Sequence, residues 1–555
     1  MKKRKSKRIV AVALGLVIVL TLLAACGSGS DSGAGSGTVS PTLAGPQDVI
    51  GGGETGVVTL PEDTEIDDDT EFLEHVHVIV DNNVISVLNP ISPAAAGTST
   101  NWVFTMIHDR LLALNADGIA FDPALALTYA TDDFKTYTFT LREGVTFHNG
   151  DPFTADDVVW TVNKVQADGL GSSAYDQWRS IVSATALDSH TVEFVLDDVD
   201  VDFLYGMTRP MSGILNRRAF EENPETGSHI GTGAYTVEEF MSGDFARLRR
   251  NPNYWRTDNM PVTEIVTFRF VPEMPTRTVM MQTGDAHVSF GTPPGDMDWF
   301  VDSDDFTVFT TTSNDPQGLA FNLANPITGD INFRKAVIYG LDRVAIGFGA
   351  AGPWADGNLT DGTFWGYTTQ FRNTDIPKFE RDLDRAKEYL AQSSYNGEVV
   401  TITTAIMTNI MASQIIQAQL LEVGINTELN EMDTAGLGAS TVYGGTEHQI
   451  VQFFYLMTPN AGSVRHSFVP GGGQNRANFD YPEVTELLNR ARVTIDIAER
   501  ERIYREVQEL VYETYAYDSI FWRRFGNVSV NGLGGILLNP DPASHDFRGV
   551  YVIAE

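Results

Sequence analysis

Cysteine and basic residues are both scarce in this chain. Only one of its 555 residues is cysteine, Cys26, so intramolecular disulfides, zinc fingers and cysteine-ligated clusters are excluded. Lys and Arg together number 38 against 73 Asp and Glu, which gives a formal net charge of −35 at pH 7. So acidic a surface repels phosphate backbones and argues against nucleic acid as a partner. The acidity fits either simple solubility or a saline environment.

Signatures of phosphate binding and hydrolysis are also missing. The sequence has no GxxxxGK[ST], no GxGxxG opening a helix after a strand, no GxSxG and no HExxH, so the corresponding sites are not expected. Adjacent acids, for example at 132–133, 156–157 and 197–198, arise by composition in so acidic a chain. We therefore predict no enzyme activity and no cofactor. A secreted hydrolase with a convergent pair of carboxylates stays as a remote alternative.

His75 and His77 are the pair of histidines that we consider as possible metal ligands. His75 and His77 lie two residues apart within a β-branched run, so on a strand they share one face, as two metal ligands would. No third ligand is near them in the sequence. We predict strand histidines and no metal site.

The N-terminus has the organisation of an export signal. Six basic residues within the first eight precede an uncharged apolar run over residues 9–23, too short for a membrane span and suited to a secretory signal. The run ends in LAACG at 23–27, which resembles the bacterial lipobox. The resemblance implies a signal peptide over 1–25 and a diacylated Cys26. An ordinary signal peptide and an uncleaved anchor are the alternatives. Residues 26–70, rich in Gly, Ser and then acids, are predicted to form a flexible tether.

The rest of the chain alternates strand and helix patterns, which predicts the α/β class. Thr154 is expected to cap a helix that opens with two acids. No repeat of a solenoid or propeller is visible. Strands are predicted over 75–80, 136–142 and 262–271, and helices from 154, over 380–390, over 413–423 and in one long stretch over 483–515.

A set of ordered motifs resembles the family 5 extracellular solute-binding proteins, the peptide/nickel type of ABC importers. The longest match is YTFTLREGVTFHNGDPFTADDVV at 137–159. The others, in the family's order, are GTGAY at 231–235, RNPNYW at 250–255, MQTGD at 281–285, LAFNLANP at 319–326, FRKAV at 333–337, LDR at 341–343, IQAQL at 416–420, VGIN at 423–426, NFDYPEV at 478–484 and AER at 498–500. Each is weak alone, but their order from about residue 75 to 525 is specific.

The resemblance implies a type II periplasmic-binding-protein-like fold of the large subgroup, with two α/β lobes, an extra domain and the ligand in the cleft between the lobes. Lobe I is expected to comprise 75–115, 228–322 and 521–555, the middle domain 116–227 and lobe II 323–520. The implied function is an exported receptor, lipid-anchored to the outer face of the cytoplasmic membrane or periplasmic. It would be a monomer that captures peptides and delivers them to an ABC permease.

The resemblance also implies three walls for the cleft, and we expect their residues to bind ligand. The middle-domain wall lies near Tyr175. Phe453 and Phe454 also fit the core of a buried strand. The other two walls comprise Thr98, Ser99, Thr100, Asn101 and Trp102 in lobe I, and Gln452, Phe453, Phe454, Tyr455 and Met457 in lobe II.

The sequence departs from the family pattern after the aromatic strand. Peptide-binding members carry an aspartate there for the peptide's amino group, whereas residues 455–460 read YLMTPN, with no acid. An unpaired buried amine is costly, so the peptide ligand is in doubt, and Arg465 or His466 would suit a carboxylate instead. Three alternatives remain. The ligand is an oligosaccharide or a plant-derived acid that stacks on Trp102, Trp354, Trp365 and Tyr455, or it is a metal chelate bound through His466. In the third alternative the protein is a surface sensor or a chaperone.

Overall fold

Strands and helices alternate along the chain, which confirms the α/β class. The computed structural model describes residues 57–58, 70–80, 85–95, 97–115, 120–170, 172–257, 260–292, 294–352, 355–356, 362, 364–405, 407–455, 457–539 and 541–554. All of them belong to one unit, Thr42–Glu555. The predicted signal peptide, Cys26, Trp354 and most of the predicted tether lie outside the described residues.

The bounds of the described elements are as follows. The strands are β1 Val57–Val58, β2 His75–Val80, β3 Leu112–Leu114, β4 Phe121–Pro123, β5 Ala126–Ala130, β6 Thr136–Leu141, β7 Ile181–Asp188, β8 Thr191–Leu196, β9 Tyr235–Met241, β10 Phe245–Arg250, β11 Ile265–Phe270, β12 Val288–Thr292, β13 Phe306–Phe321, β14 Ala355–Asp356, β15 Val400–Thr404, β16 Thr427–Glu431, β17 Ile450–Phe454, β18 Tyr517–Val530, β19 Leu533–Gly534, β20 Ile536–Leu537 and β21 Tyr551–Val552. The helices are α1 Thr98–Ile107, α2 Ala155–Asp168, α3 Ser173–Trp178, α4 Phe203–Gly206, α5 Arg217–Glu222, α6 Pro224–Gly227, α7 Met274–Thr283, α8 Pro294–Val301, α9 Ile331–Gly340, α10 Arg343–Ala351, α11 Leu383–Ala391, α12 Met407–Val423, α13 Thr434–Ser440, α14 Arg465–Phe468, α15 Pro482–Val493 and α16 Ile497–Thr514.

Two long strands connect the halves of one large sheet. The sheet has the order β16-β15-β17-β13-β18-β12-β2-β11-β10-β9, and β14 pairs with β18. The first half of β13 pairs with the second half of β18 in lobe I, and their other halves continue into lobe II, where β13 also pairs with β17. β13 and β18 are therefore the crossing strands of a two-lobed fold.

The parallel strands of the two lobes point their carboxyl ends at each other. In lobe I, Thr292 at the end of β12 lies opposite Gly526 on β18, on the side nearer lobe II, and β2 and β11 run in the same direction as β12. In lobe II, Phe454 at the end of β17 lies opposite Gln317, near the middle of β13. β15 and β16 run parallel to β17. Both sets of carboxyl ends therefore face the middle of the crossing strands.

A separate four-stranded antiparallel sheet, β5-β6-β8-β7, lies between these elements in the chain. Its apolar face shares one continuous hydrophobic core with lobe I, which includes Phe139 and Phe194 from this sheet and Val78 from β2. Lobe II has core clusters of its own. The middle sheet is therefore packed as part of lobe I. The exact domain boundaries remain predictions.

Local sequence signals gave most elements correctly, with one clear error. Thr154 caps α2, and its N–H donates to the Asp157 carboxylate at 3.0 Å. The single helix predicted over 483–515 is wrong, because the chain leaves the helix after Val493 and α16 starts at Ile497. Asp496 causes the restart, since its carboxylate accepts the Glu499 N–H at 2.8 Å as an N-cap. Among the described helices, none combines the length and apolar character of a membrane span.

Candidate functional site

The carboxyl ends of the parallel strands define the candidate ligand site between the lobes. Ligands of open α/β sheets bind outside these ends. In lobe I, α1 follows β2 in the chain and α7 follows β11, and in lobe II, α12 follows β15. The N-termini of these helices carry unpaired N–H groups and partial positive charge, which suit polar ligand atoms. We call the region between the two sets of strand ends the interlobe site.

The lobe I wall predicted at 98–102 is the first half of α1. Ser99 and Thr100 are buried there, and Thr100 Oγ1 and Asn101 Oδ1 are buried without a hydrogen-bond partner among the described residues. Such atoms are unusual in a folded protein and mark places where a ligand or water completes the bonding. Thr98 is half-buried at the first position of the helix.

Trp102 lies in the core of lobe I instead of on an open wall. Its ring packs against Phe290 at 4.9 Å and Phe547 at 5.0 Å, between ring centroids, and stacks on His545 at 5.8 Å. Only 4% of the residue is exposed. A ring enclosed on these sides is not available for stacking on a sugar.

The lobe II wall predicted on β17 is largely interior. Phe453 belongs to a small buried cluster with Leu437 and Val451, and it stacks on the half-buried Phe454 at 4.3 Å. Tyr455 is fully buried and meets Phe364 edge-on at 4.6 Å. The placements of Phe453 and Phe454 follow from strand geometry, because alternate residues of β17 point to opposite faces of the sheet.

Gln452 is the buried polar residue of this strand. Its Oε1 accepts a hydrogen bond from Thr404 Oγ1 at 3.3 Å, and its Nε2 has no partner among the described residues. Burial without a partner costs free energy, so a ligand acceptor or a water is the natural complement of this amide.

Met457 is held by the crossing strand β13. Its N–H donates to Asp315 Oδ1 at 3.0 Å, and its carbonyl accepts from Asn314 Nδ2 at 3.0 Å. Sequence reasoning missed Asn314 and Asp315. The available signal was an Asn-Asp-Pro step inside a strand, a composition that marks a bulge or an irregularity.

The middle domain touches lobe II directly. Asn460 Nδ2 donates to Asp202 Oδ1 at 2.8 Å, the Val201 N–H donates to the Arg492 carbonyl at 3.1 Å, and Arg492 pairs with Asp200 at 3.2 Å. Burial and the neighbouring Asp200 carboxylate raise the pKa of Asp202. These contacts join two parts of the chain that are more than 250 residues apart.

Arg465 and Tyr175 lie around this contact. Arg465 donates through Nη2 to Asn489 Oδ1 at 2.8 Å, and burial together with the Arg492 charge lowers its pKa. Tyr175, on α3 of the middle domain, is half-buried against the core shared with lobe I. The structure thus places Arg465 beside the contact between the middle domain and lobe II, near Arg492 and Asp200, which the sequence did not indicate.

Trp365 and the two strand histidines are the remaining candidates. Trp365 is buried against Phe468 and Tyr504 inside lobe II. The rings of His75 and His77 stack at 3.9 Å between centroids on β2. Among the described residues, no group of three or more His, Cys, Asp or Glu is arranged to hold a metal ion.

Comparison with known proteins identifies similar chains. The family model described as "Bacterial extracellular solute-binding proteins, family 5 Middle" matches residues 120–475. The glutathione-binding protein GsiB of Shigella flexneri is 24% identical over 506 residues, which cover 88% of this chain and 96% of that protein.

Solved structures show the same fold. A dipeptide-binding protein of Pseudoalteromonas in complex with Met-Leu matches with a TM-score of 0.75 and 22% identity, covering 86% of this chain and 99% of that one. The binding protein AgaA of A. tumefaciens R10, in complex with agropinic acid, matches with a TM-score of 0.72 and 21% identity, covering 87% and 99%. Since these two similar folds hold a peptide and a non-peptide acid, the fold alone does not select the ligand.

Proposed function

Because the chain belongs to the bacterial extracellular solute-binding proteins of family 5, we propose that it captures short peptides and delivers them to the permease of an ABC importer. The observation that carries the peptide ligand is the similarity to GsiB, whose name assigns it glutathione, a tripeptide, and which aligns along nearly its whole length. The Met-Leu complex of a structural neighbour supports the same ligand class.

The geometry supports binding by closure of the lobes. The ligand lies between the facing carboxyl ends, and the lobes move about β13 and β18, the crossing strands at the sheet's centre. The contacts of Asn460 with Asp202 and of Arg492 with Asp200 hold lobe II against the middle domain. A permease then distinguishes the closed, loaded form from the open one.

We further propose that the protein is an exported lipoprotein, anchored through the acyl chains of Cys26. The LAACG sequence after the apolar run supports this placement, and two acyl chains suffice for a stable membrane anchor. Binding requires no reaction, so the ligand leaves chemically unchanged. This separates the receptor from the hydrolase alternative.

A non-peptide acid is the second candidate ligand. Residues 455–460 contain no acid for an amino group, and the structurally similar AgaA holds agropinic acid. A sugar is less well supported, because the described aromatic candidates Trp102, Trp365 and Tyr455 are all buried in lobe cores.

Isothermal titration of the purified protein tests the proposal. Glutathione and Met-Leu are titrated at pH 7, with agropinic acid and a disaccharide as competing classes. We expect saturable binding of at least one peptide at one site per chain, and recovery of the peptide intact after denaturation. Binding of only a non-peptide compound would contradict the peptide ligand, and conversion of the ligand would contradict the receptor role.

A further inference from the structure

Three buried polar side-chain atoms of lobe II have no hydrogen-bond partner among the described residues. They are Asn409 Oδ1 and Ser413 Oγ on α12, and Gln452 Nε2 on β17. At most 1% of each of these residues is exposed. Buried polar atoms in folded proteins almost always have a partner, so three such atoms in one lobe require an explanation.

Asn409 and Ser413 lie on the face of α12 that covers the sheet. They are four residues apart and therefore share one face of the helix, which Ile416 continues three residues later. Ile416 packs in the lobe II core together with Ile402 of β15 and Ile450 of β17. The two polar side chains therefore point from α12 towards these two strands.

Gln452 points to the same face from the sheet. It lies two residues after Ile450 on β17, so both side chains are on one side of the strand. Its Oε1 accepts a hydrogen bond from Thr404 Oγ1 at 3.3 Å, and Thr404 ends β15. Because α12 begins three residues after β15 ends, its first turns lie above the same strand ends. We call this set of side chains the polar cluster: Thr404, Asn409, Ser413 and Gln452.

The polar cluster faces the interlobe site and offers donors and acceptors without a charge. Gln452 Nε2 is a donor, Asn409 Oδ1 is an acceptor, and the Ser413 hydroxyl acts as either. A carboxamide group carries an acceptor oxygen beside a donor nitrogen, so one such group complements all three atoms. An apolar group leaves them unpaired, and a carboxylate cannot donate to Asn409 and finds no positive charge in the cluster.

We infer that the polar cluster binds a carboxamide group of the ligand, so that the protein prefers peptides with a glutamine or asparagine side chain. This inference rests on the proposed peptide function and adds a side-chain preference to it. The cluster belongs wholly to lobe II, so the preference comes from one wall of the interlobe site.

The test compares ligand side chains of one length that differ only in their end group. Ala-Gln, Ala-Met and Ala-Glu are titrated calorimetrically, together with the reversed series Gln-Ala, Met-Ala and Glu-Ala, and with glutathione. The variants are Gln452→Met, which keeps the length and removes the amide, and the milder Ser413→Ala. Gln414→Met is the matched control, because Gln414 is exposed on α12.

We expect the wild type to bind the glutamine peptide of at least one series about tenfold more tightly than its methionine and glutamate counterparts, since these leave buried polar atoms unpaired. Gln452→Met should weaken the glutamine peptide by a similar factor and leave the methionine peptide unchanged or tighter. Ser413→Ala should reduce the preference by a smaller factor, and Gln414→Met should retain it in full.

The contrary outcomes separate this inference from the proposed function. A wild type that binds peptides, glutathione included, without preferring glutamine would overturn the carboxamide site and leave the peptide function in place. Equal losses for the glutamine and methionine peptides in both variants, or a preference that both variants retain, would also overturn it. A wild type that binds none of the seven peptides would contradict the peptide function as well.

Discussion

Asn460 of lobe II donates a 2.8 Å hydrogen bond to the Asp202 carboxylate of the middle domain. The bond lies beside a backbone contact between Val201 and Arg492 and an ion pair between Arg492 and Asp200. Together these interactions hold lobe II against the middle domain.

Asn460→Asp should weaken this link. The substitution places a second carboxylate against the buried Asp202, and repulsion plus the lost donor costs about 1–3 kcal/mol. We expect a larger radius of gyration by small-angle X-ray scattering, and about tenfold weaker ligand binding or more.

The control for this prediction changes the same residue type elsewhere. Asn396 is exposed in a turn of lobe II, and Asn396→Asp adds the same charge without touching the middle domain. Equal scattering curves for Asn460→Asp and Asn396→Asp would show that the Asn460 contact does not govern closure.

Arg343 and Asp518 form a buried ion pair that fastens α10 to β18. The nearest nitrogen and oxygen are 2.7 Å apart, and the side chains are 6% and 1% exposed. Arg343→Met leaves the Asp518 carboxylate buried and unpaired, which should lower the free energy of unfolding by about 3–5 kcal/mol. Urea unfolding followed by tryptophan fluorescence measures the change. The double variant Arg343→Met/Asp518→Leu should recover part of the loss, and a double variant as unstable as the single one would contradict this explanation.

Buried histidines should make stability fall in acid. Burial and the nearby His148 lower the pKa of His108 to about 3, and burial lowers the pKa of His545 to about 4. Both are neutral in the folded protein, whereas the unfolded chain takes up protons below about pH 6.5, so unfolding is favoured as the pH falls. The His108 contribution lost between pH 7 and pH 5 is about 2 kcal/mol.

Urea unfolding at pH 7 and pH 5 checks this prediction. The free energy of unfolding should drop between the two values for the wild type. His108→Gln should show a smaller drop, whatever its stability at pH 7. If the free energy of unfolding fell equally in the variant and the wild type, His108 would not be a cause of the acid sensitivity.

Gly231 is required by a close approach of two backbone segments in lobe I. A Cβ atom there would lie 1.9 Å from the Ile107 carbonyl oxygen, a distance that no side chain can take without moving the backbone. Gly231→Ala should therefore destabilise the protein by about 1–3 kcal/mol or more. Gly473→Ala is the control, since a Cβ there meets nothing within 4 Å. Thermal unfolding of the two variants should differ by several degrees, and equal midpoints would contradict the packing argument.

The sequence predicted what short-range chemistry determines. Thr154 and Asp157 predict the start of a helix within four residues, and the β-branched run at 75–80 predicts a strand. Both elements are present in the structure. Asp496 is the same kind of signal, because its side chain caps α16 and so divides the stretch that is predicted as one helix.

The parts of the site that depend on packing could not be predicted in this way. Phe453 and Tyr455 are predicted to line the cleft, with the core of a buried strand as the alternative for Phe453, and in the structure both rings pack inside lobe II. Asp315 lies about 140 residues from Met457 in the chain. Only the pairing of β13 with β17 and β18 brings its carboxylate to the segment that lacks an acid.

Mass spectrometry of the ligand released from the purified protein tests the central claim most directly. The protein is isolated without added ligand, denatured, and its small-molecule fraction is compared with that of an unrelated protein from the same cells. The proposed function predicts one or more short peptides in that fraction. A single non-peptide compound in stoichiometric amount would contradict it.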